Sequence, residues 1–155
     1  QVDWCDANST LRLTYGNVSG SAPTDGASYR YSTTADGILQ KYRTGAADYA
    51  IQPRLKELLE KREYGQYADA TGELRTCYTG SNHTTGGNSG SPALNAKGEL
   101  TGINFDRSWE STMSDYMFDA SRCRNVVVDI RYVMWLMDIY SGAKHLVDEM
   151  NLVKE

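Results

Sequence analysis

A chain of 155 residues can build one domain with a substantial core, and is too short for two ordinary ones. With 40% hydrophobic and 23% charged residues it has a globular composition, which excludes an intrinsically disordered chain. A net charge of −4 with no basic cluster argues against nucleic acid as a partner, and the apolar runs are too short for a membrane span.

In chain order, residues 10–18 alternate apolar and polar with the β-formers Leu11, Leu13 and Tyr15, which predicts a half-buried strand. Residues 19–26, rich in Gly, Ser, Pro and Asp, predict a loop, and the Tyr/Thr-rich residues 29–33 a further strand. A short helix is expected over residues 36–42. Pro53 suits a first helical turn, and Leu55, Leu58 and Leu59 then share one face, so a helical segment is expected near residues 50–65 with Gly65 as its stop. Residues 74–79, 91–94 and 100–105 predict strands, the last two joined as a hairpin by Asn95-Ala96-Lys97-Gly98. Val126, Val127 and Val128 form a short buried strand. Asp129 then caps a terminal helix near residues 129–150, in which Ile130, Val133, Met134 and Met137 repeat at helical spacing and Gly142 makes a break. Met134, Met137 and Trp135 are expected to pack in the core. About six strands with a closing helix have the size of a single small β-barrel.

Cys5, Cys77 and Cys123 are odd in number and too widely spaced for a metal motif, so no metal is expected. They read as small buried hydrophobes, with one disulfide of unassigned partners left open. The opening residues, with Gln1, Asp3 and Asp6, do not read as a signal peptide.

The strongest chemical signal runs from Gly86 to Pro92, Gly-Gly-Asn-Ser-Gly-Ser-Pro. A serine hydroxyl is a weak nucleophile and needs both a base and donors for the developing oxyanion. Gly87, two residues before Ser89, lets the loop fold so that the N–H groups of Gly87 and Ser89 converge on one point. Gly90 leaves room for a substrate backbone. The plain alternative is a Gly/Ser-rich surface turn, but seven matching positions between two strands favour a catalytic loop. The α/β-hydrolase elbow requires a glycine two residues after the serine, where this chain has Ser91. The base is the difficulty, because the two histidines are His83, in the same loop, and His145, on the terminal helix. In the trypsin order the histidine and aspartate precede the serine on an earlier barrel. The chain is therefore expected to be the C-terminal part of a larger enzyme.

Four separated motifs carry a resemblance over nearly the whole chain: Asp6-Ala-Asn-Ser-Thr-Leu-Arg-Leu-Thr-Tyr-Gly16, Thr85-Gly-Gly-Asn-Ser-Gly-Ser-Pro92, Asn104-Phe-Asp-Arg-Ser-Trp-Glu110 and Val128-Asp-Ile-Arg-Tyr-Val133. Together they resemble the C-terminal portion of the bacterial serine dipeptidyl peptidases 7 and 11, closer to the second type. The resemblance implies a mainly β fold with helices, namely the second barrel of a trypsin-like double barrel closed by a C-terminal helix. It implies an exopeptidase without a cofactor that removes dipeptides from free N-termini, a homodimer, and a location in the periplasm or at the surface of a Gram-negative cell. By motif, Ser89 matches the nucleophile and Asp106 the carboxylate that binds the substrate's α-amine. Arg107 sits where the family sets specificity, an arginine there going with Asp or Glu before the cleaved bond. The catalytic His and Asp of that family have no counterpart here.

Two other readings stay open. A secreted glutamyl endopeptidase shares the Thr-Gly-Gly-Asn-Ser-Gly-Ser-Pro run, and a half-barrel without a base is also compatible with a non-catalytic peptide-binding module.

Overall fold

The computed structural model describes residues 9–153. Ser21–Thr24 (β1) and Ala27–Tyr29 (β2) form an antiparallel hairpin around Asp25-Gly26, with Gly26 at φ +75°. This corrects the loop expected over residues 19–26. The turn-forming composition belongs mainly to the two-residue Asp-Gly joint, and Pro23 is tolerated in a strand of a two-stranded ribbon, where a free edge needs no donor. The strand expected over residues 29–33 is broken: β2 ends at Tyr29 and β3 covers Ser32–Thr34.

Residues 10–17 are not a strand, contrary to their alternation; Val18 alone makes a bridge, to Gly80. Leu11, Leu13 and Tyr15 are exposed. Alternation becomes a strand only where a neighbour takes up the ladder hydrogen bonds and covers one face.

The main sheet has the order β3-β4-β7-β6-β5, with β4 at Arg75–Gly80, β5 at Pro92–Leu94, β6 at Leu100–Arg107 and β7 at Asn125–Asp129. β4 and β7 are antiparallel with Cys77 opposite Val128 and Gly80 opposite Asn125. β5 and β6 form the expected hairpin: Asn95 Oδ1 accepts from the N–H groups of Lys97 and Glu99, and Gly98 takes φ +80°. Gly102 lets β6 lie close to its neighbour, since a Cβ there would stand 2.3 Å from the Val128 carbonyl oxygen. The closed barrel is not formed. The sheet is open, because its edge strands β3 and β5 are three residues each and do not pair with one another.

The described residues divide into two compact units, one of residues 9–32 and 77–128, the other of residues 33–76 and 129–153. The second is the helical unit. α1 covers Ala35–Tyr42 and α2 covers Pro53–Glu60, with Pro53 at the first turn. α2 stops before Gly65: Arg62 takes φ +54°, and Gly65 instead opens the single 3₁₀ turn Gly65–Tyr67. The terminal helix is in pieces, with α3 at Ile130–Trp135, a π turn over Leu136–Tyr140, Gly142 at φ +67°, and α4 at Lys144–Asp148. Asp129 caps α3 as expected, its Oδ1 accepting from the Arg131 N–H at 2.9 Å. Trp135 is fully buried among Leu39, Leu58, Leu59, Tyr64 and Leu74, and its Nε1 donates to the Glu63 carbonyl at 2.8 Å. Met134 packs at the margin of this core, and Met137 is half-buried. Cys123 is a buried free thiol and Cys77 is half-buried in β4; Cys5 lies outside the described residues.

Candidate active site

Ser89 stands on a turn that β6 holds from below. Asn88 N–H donates to the Thr85 carbonyl at 3.2 Å, and Thr85 N–H donates to Asn88 Oδ1 at 2.8 Å, closing the turn on itself. The Gly90 N–H then donates to the Asn104 carbonyl at 2.8 Å, and the Asn104 N–H donates to the Ser91 carbonyl at 2.9 Å. The buried Asn104 side chain adds a third tie, its Nδ2 donating to the Asn88 carbonyl at 3.2 Å. Asn125 Nδ2 in turn donates to Asn104 Oδ1 at 2.9 Å. Gly87 and Gly90, at φ +93° and +89°, bracket Asn88 and Ser89 in a backbone that a side chain would strain. Among the described residues, the N–H groups of Gly87 and Ser89 donate to nothing. Both residues are exposed, so these two donors are available to an incoming oxygen.

The Ser89 hydroxyl donates to the Phe105 carbonyl at 3.2 Å. The next two residues of β6 are Asp106 and Arg107. Asp106 is exposed, and its Oδ1 accepts from the Arg107 N–H at 2.8 Å. The Arg107 side chain folds onto the 3₁₀ segment Trp109–Asp115: Nη1 meets Asp115 Oδ1 at 2.5 Å, Nη2 meets Asp115 Oδ2 at 2.8 Å, and Nη1 also donates to Ser114 Oγ at 3.2 Å. Asp115 Oδ1 further accepts from Thr85 Oγ1 at 2.6 Å. Hydrogen bonds from Arg107 and then from Thr85 hold the Asp115 carboxyl well below the usual carboxylate range, and the same pairing raises the Arg107 guanidinium. Both groups are charged throughout the physiological range.

Neither histidine is arranged as a base for Ser89. His83 Nε2 lies 3.1 Å from the Ser114 carbonyl oxygen, which only accepts, so that nitrogen carries the proton in this contact; the ring leans on Phe118 at 4.6 Å. His145 is exposed on α4, in the other unit.

The structure thus brings Ser89, Gly87, Asp106 and Arg107 into one neighbourhood. It adds Asn104 and Thr85, which the sequence motifs contain without a role assigned to them, and Asn125 and Asp115, which sequence reasoning does not single out. Asn104 had a signal, an amide inside the strand expected over residues 100–105. Asp115 had none, because only the fold of the 3₁₀ segment brings it back to Arg107.

The Peptidase S46 family matches residues 1–152 of the chain, and the chain belongs to that family. It is 53% identical over 148 residues to an Asp/Glu-specific dipeptidyl-peptidase of Flavobacterium psychrophilum, covering 96% of this chain and 21% of that protein. It is 46% identical over 149 residues to a dipeptidyl-peptidase 7 of Phocaeicola vulgatus, again over 96% of this chain and 21% of that one. A crystal structure of Porphyromonas endodontalis DPP11 in complex with the dipeptide Arg-Asp superimposes with a TM-score of 0.88 at 41% identity, over 93% of this chain and 21% of that one. The chain therefore spans about a fifth of the length of the relatives it matches.

Proposed function

We propose that the chain is the portion of a serine dipeptidyl peptidase that carries the nucleophile and the specificity residues, and that the whole enzyme releases N-terminal dipeptides with Asp or Glu before the cleaved bond. The observation that carries this reading is the contact of the Ser89 hydroxyl with the carbonyl of Phe105, the residue immediately before Asp106 and Arg107. Amine anchor and acid-recognising fork then follow directly, along β6, the residue that the nucleophile touches.

In this reading Ser89 attacks the carbonyl carbon of the second residue. The N–H groups of Gly87 and Ser89 hold the oxyanion of the tetrahedral intermediate. The exposed Asp106 carboxylate pairs with the free α-amine, which fixes the count at two residues from the N-terminus. Arg107 offers a guanidinium to the acidic side chain. The general base and its orienting carboxylate come from the part of the enzyme outside this chain. The 155 residues contribute the C-terminal portion of the catalytic domain, and the open sheet is half of a double barrel. The bound Arg-Asp of the Porphyromonas endodontalis structure, a dipeptide with an acidic second residue, supports this assignment. The resemblance supports reading the whole enzyme as a homodimer in the periplasm or at the surface of a Gram-negative cell.

The amine anchor is tested in a full-length enzyme carrying this segment, with free and N-acetylated Leu-Asp fluorogenic substrates. The free substrate is cleaved and the acetylated one is not, and Asp106→Ala loses most activity on the free one. Equal cleavage of both by the wild type overturns the exopeptidase reading in favour of a glutamyl endopeptidase.

A further inference from the structure

The Arg107 fork is not empty. Asp115 takes the Nη1/Nη2 edge with two bonds, and Ser114 Oγ takes a further Nη1 proton. A guanidinium has a second edge that pairs with a carboxylate in two-point fashion, Nε with the outer Nη2 proton. Among the described residues, Nε–H of Arg107 has no partner. The Arg107 side chain is 23% exposed. Asp115 also does more than neutralise Arg107: through Thr85 Oγ1 it is tied to the turn that Thr85 and Asn88 close around the nucleophile.

We propose that Asp115 is a positioning residue for acidic-substrate selection: it grips one edge of Arg107, leaves the Nε/Nη2 edge for the substrate carboxylate, and fixes that edge relative to Ser89 through Thr85. This rests on the reading of Arg107 as the specificity residue. It changes the logic of selection. In the free protein Arg107 already has a counter-charge, so an apolar substrate leaves no unpaired buried cation. Discrimination then comes from placing the second edge correctly, more than from a penalty on the empty site. An arginine released from Asp115 keeps its attraction for a carboxylate, with one more unit of net positive charge at the site, but loses the geometry that aligns the scissile bond. Acid recognition then separates into attraction, which survives, and alignment, which does not.

The test uses a full-length enzyme carrying this segment, with Asp115→Asn, Arg107→Gly and the double variant, and kcat and KM measured separately on Leu-Asp and Leu-Leu substrates. Asparagine keeps an acceptor for Thr85 while removing the charge and one of the two acceptors for the fork. The expected result for Asp115→Asn is a fall of about tenfold in kcat on Leu-Asp with no rise in KM, and a fall in the Leu-Asp to Leu-Leu ratio of kcat. In the Arg107→Gly background, the same substitution leaves that ratio where Arg107→Gly alone puts it. An equal kcat loss on both substrates, a rise in KM on Leu-Asp, or a further change of ratio in the double variant overturns the role of Asp115. If Arg107→Gly itself leaves the ratio unchanged, the specificity reading of Arg107 fails and the positioning role fails with it; if Arg107→Gly shifts the ratio and Asp115→Asn does not, only the positioning role fails.

Discussion

Replacing Asn104 with alanine tests how the nucleophile turn is held. The side chain makes two bonds, Nδ2 to the Asn88 carbonyl at 3.2 Å and Oδ1 from Asn125 Nδ2 at 2.9 Å. Each is worth about 0.5–1.5 kcal/mol net. Truncation also strips a partner from Asn125, which is buried and whose Oδ1 already lacks one, so global stability falls by a further desolvation cost of about 1 kcal/mol or more. Only the Nδ2 bond to Asn88 is broken when the turn opens, so opening is easier by about 0.5–1.5 kcal/mol, roughly 2- to 12-fold in an opening equilibrium. Native-state hydrogen exchange reads this directly at the Gly90 amide, bonded to the Asn104 carbonyl, and at the Ser91 amide, bonded to the Asn88 carbonyl. Protection at these two sites falls by that factor in Asn104→Ala. The Gly98 and Asn95 amides of the β5–β6 hairpin, bonded within their own loop, keep theirs. Unchanged protection at Gly90 and Ser91 refutes the reasoning, and so does a uniform loss across both regions, which would make Asn104 a general core residue.

Two further outcomes follow from packing and charge. Gly102→Ala places a Cβ 2.3 Å from the Val128 carbonyl oxygen and 2.5 Å from Val127 Cγ1, so the strands must part, at a cost of about 3 kcal/mol read as a lowered thermal midpoint; an unchanged midpoint contradicts the close approach. Asp69 accepts from the Thr71 hydroxyl, Arg75 Nε and the N–H groups of Thr71 and Glu73, which hold its carboxyl well below its ordinary value despite burial. A depressed folded-state value stabilises above the unfolded carboxylate range near pH 4, and that contribution is lost as pH falls through the folded value. The stability gap between wild type and Asp69→Asn, from denaturant unfolding, is therefore full at pH 6 and smaller at pH 3; a gap that widens on acidification contradicts this sign.

The sequence carried local chemistry well where one or two residues decide it. Pro53 opens a helix, Asp129 caps one, and Asn95 to Gly98 turn a hairpin, because each acts on neighbours along the chain. Residues 10–17 mislead for the opposite reason: their alternation is that of a strand, and strand formation depends on a partner that local pattern does not contain. The open sheet was equally beyond reach, since counting strands says nothing about whether β3 and β5 meet. Of the proposed site residues, Ser89 and Gly87 were read from a contiguous run. Asp106 and Arg107 were read only through the likeness to a family, since Asp-Arg at a strand end has the look of a solvated pair. The hydrogen bond that joins Thr85 to Asp115, 30 residues apart, was visible only in the fold.

The central claim is that Arg107 selects an acidic residue at the cleaved bond. The most direct measurement is kcat/KM for Leu-Asp and Leu-Leu substrates in a full-length enzyme carrying this segment and in its Arg107→Gly variant. Losing one partner of a partly desolvated charge pair removes about 2–4 kcal/mol of transition-state stabilisation, roughly 30- to 1000-fold in kcat/KM. The account predicts a loss of that size on Leu-Asp with improved relative use of Leu-Leu. A ratio that Arg107→Gly leaves unchanged contradicts it.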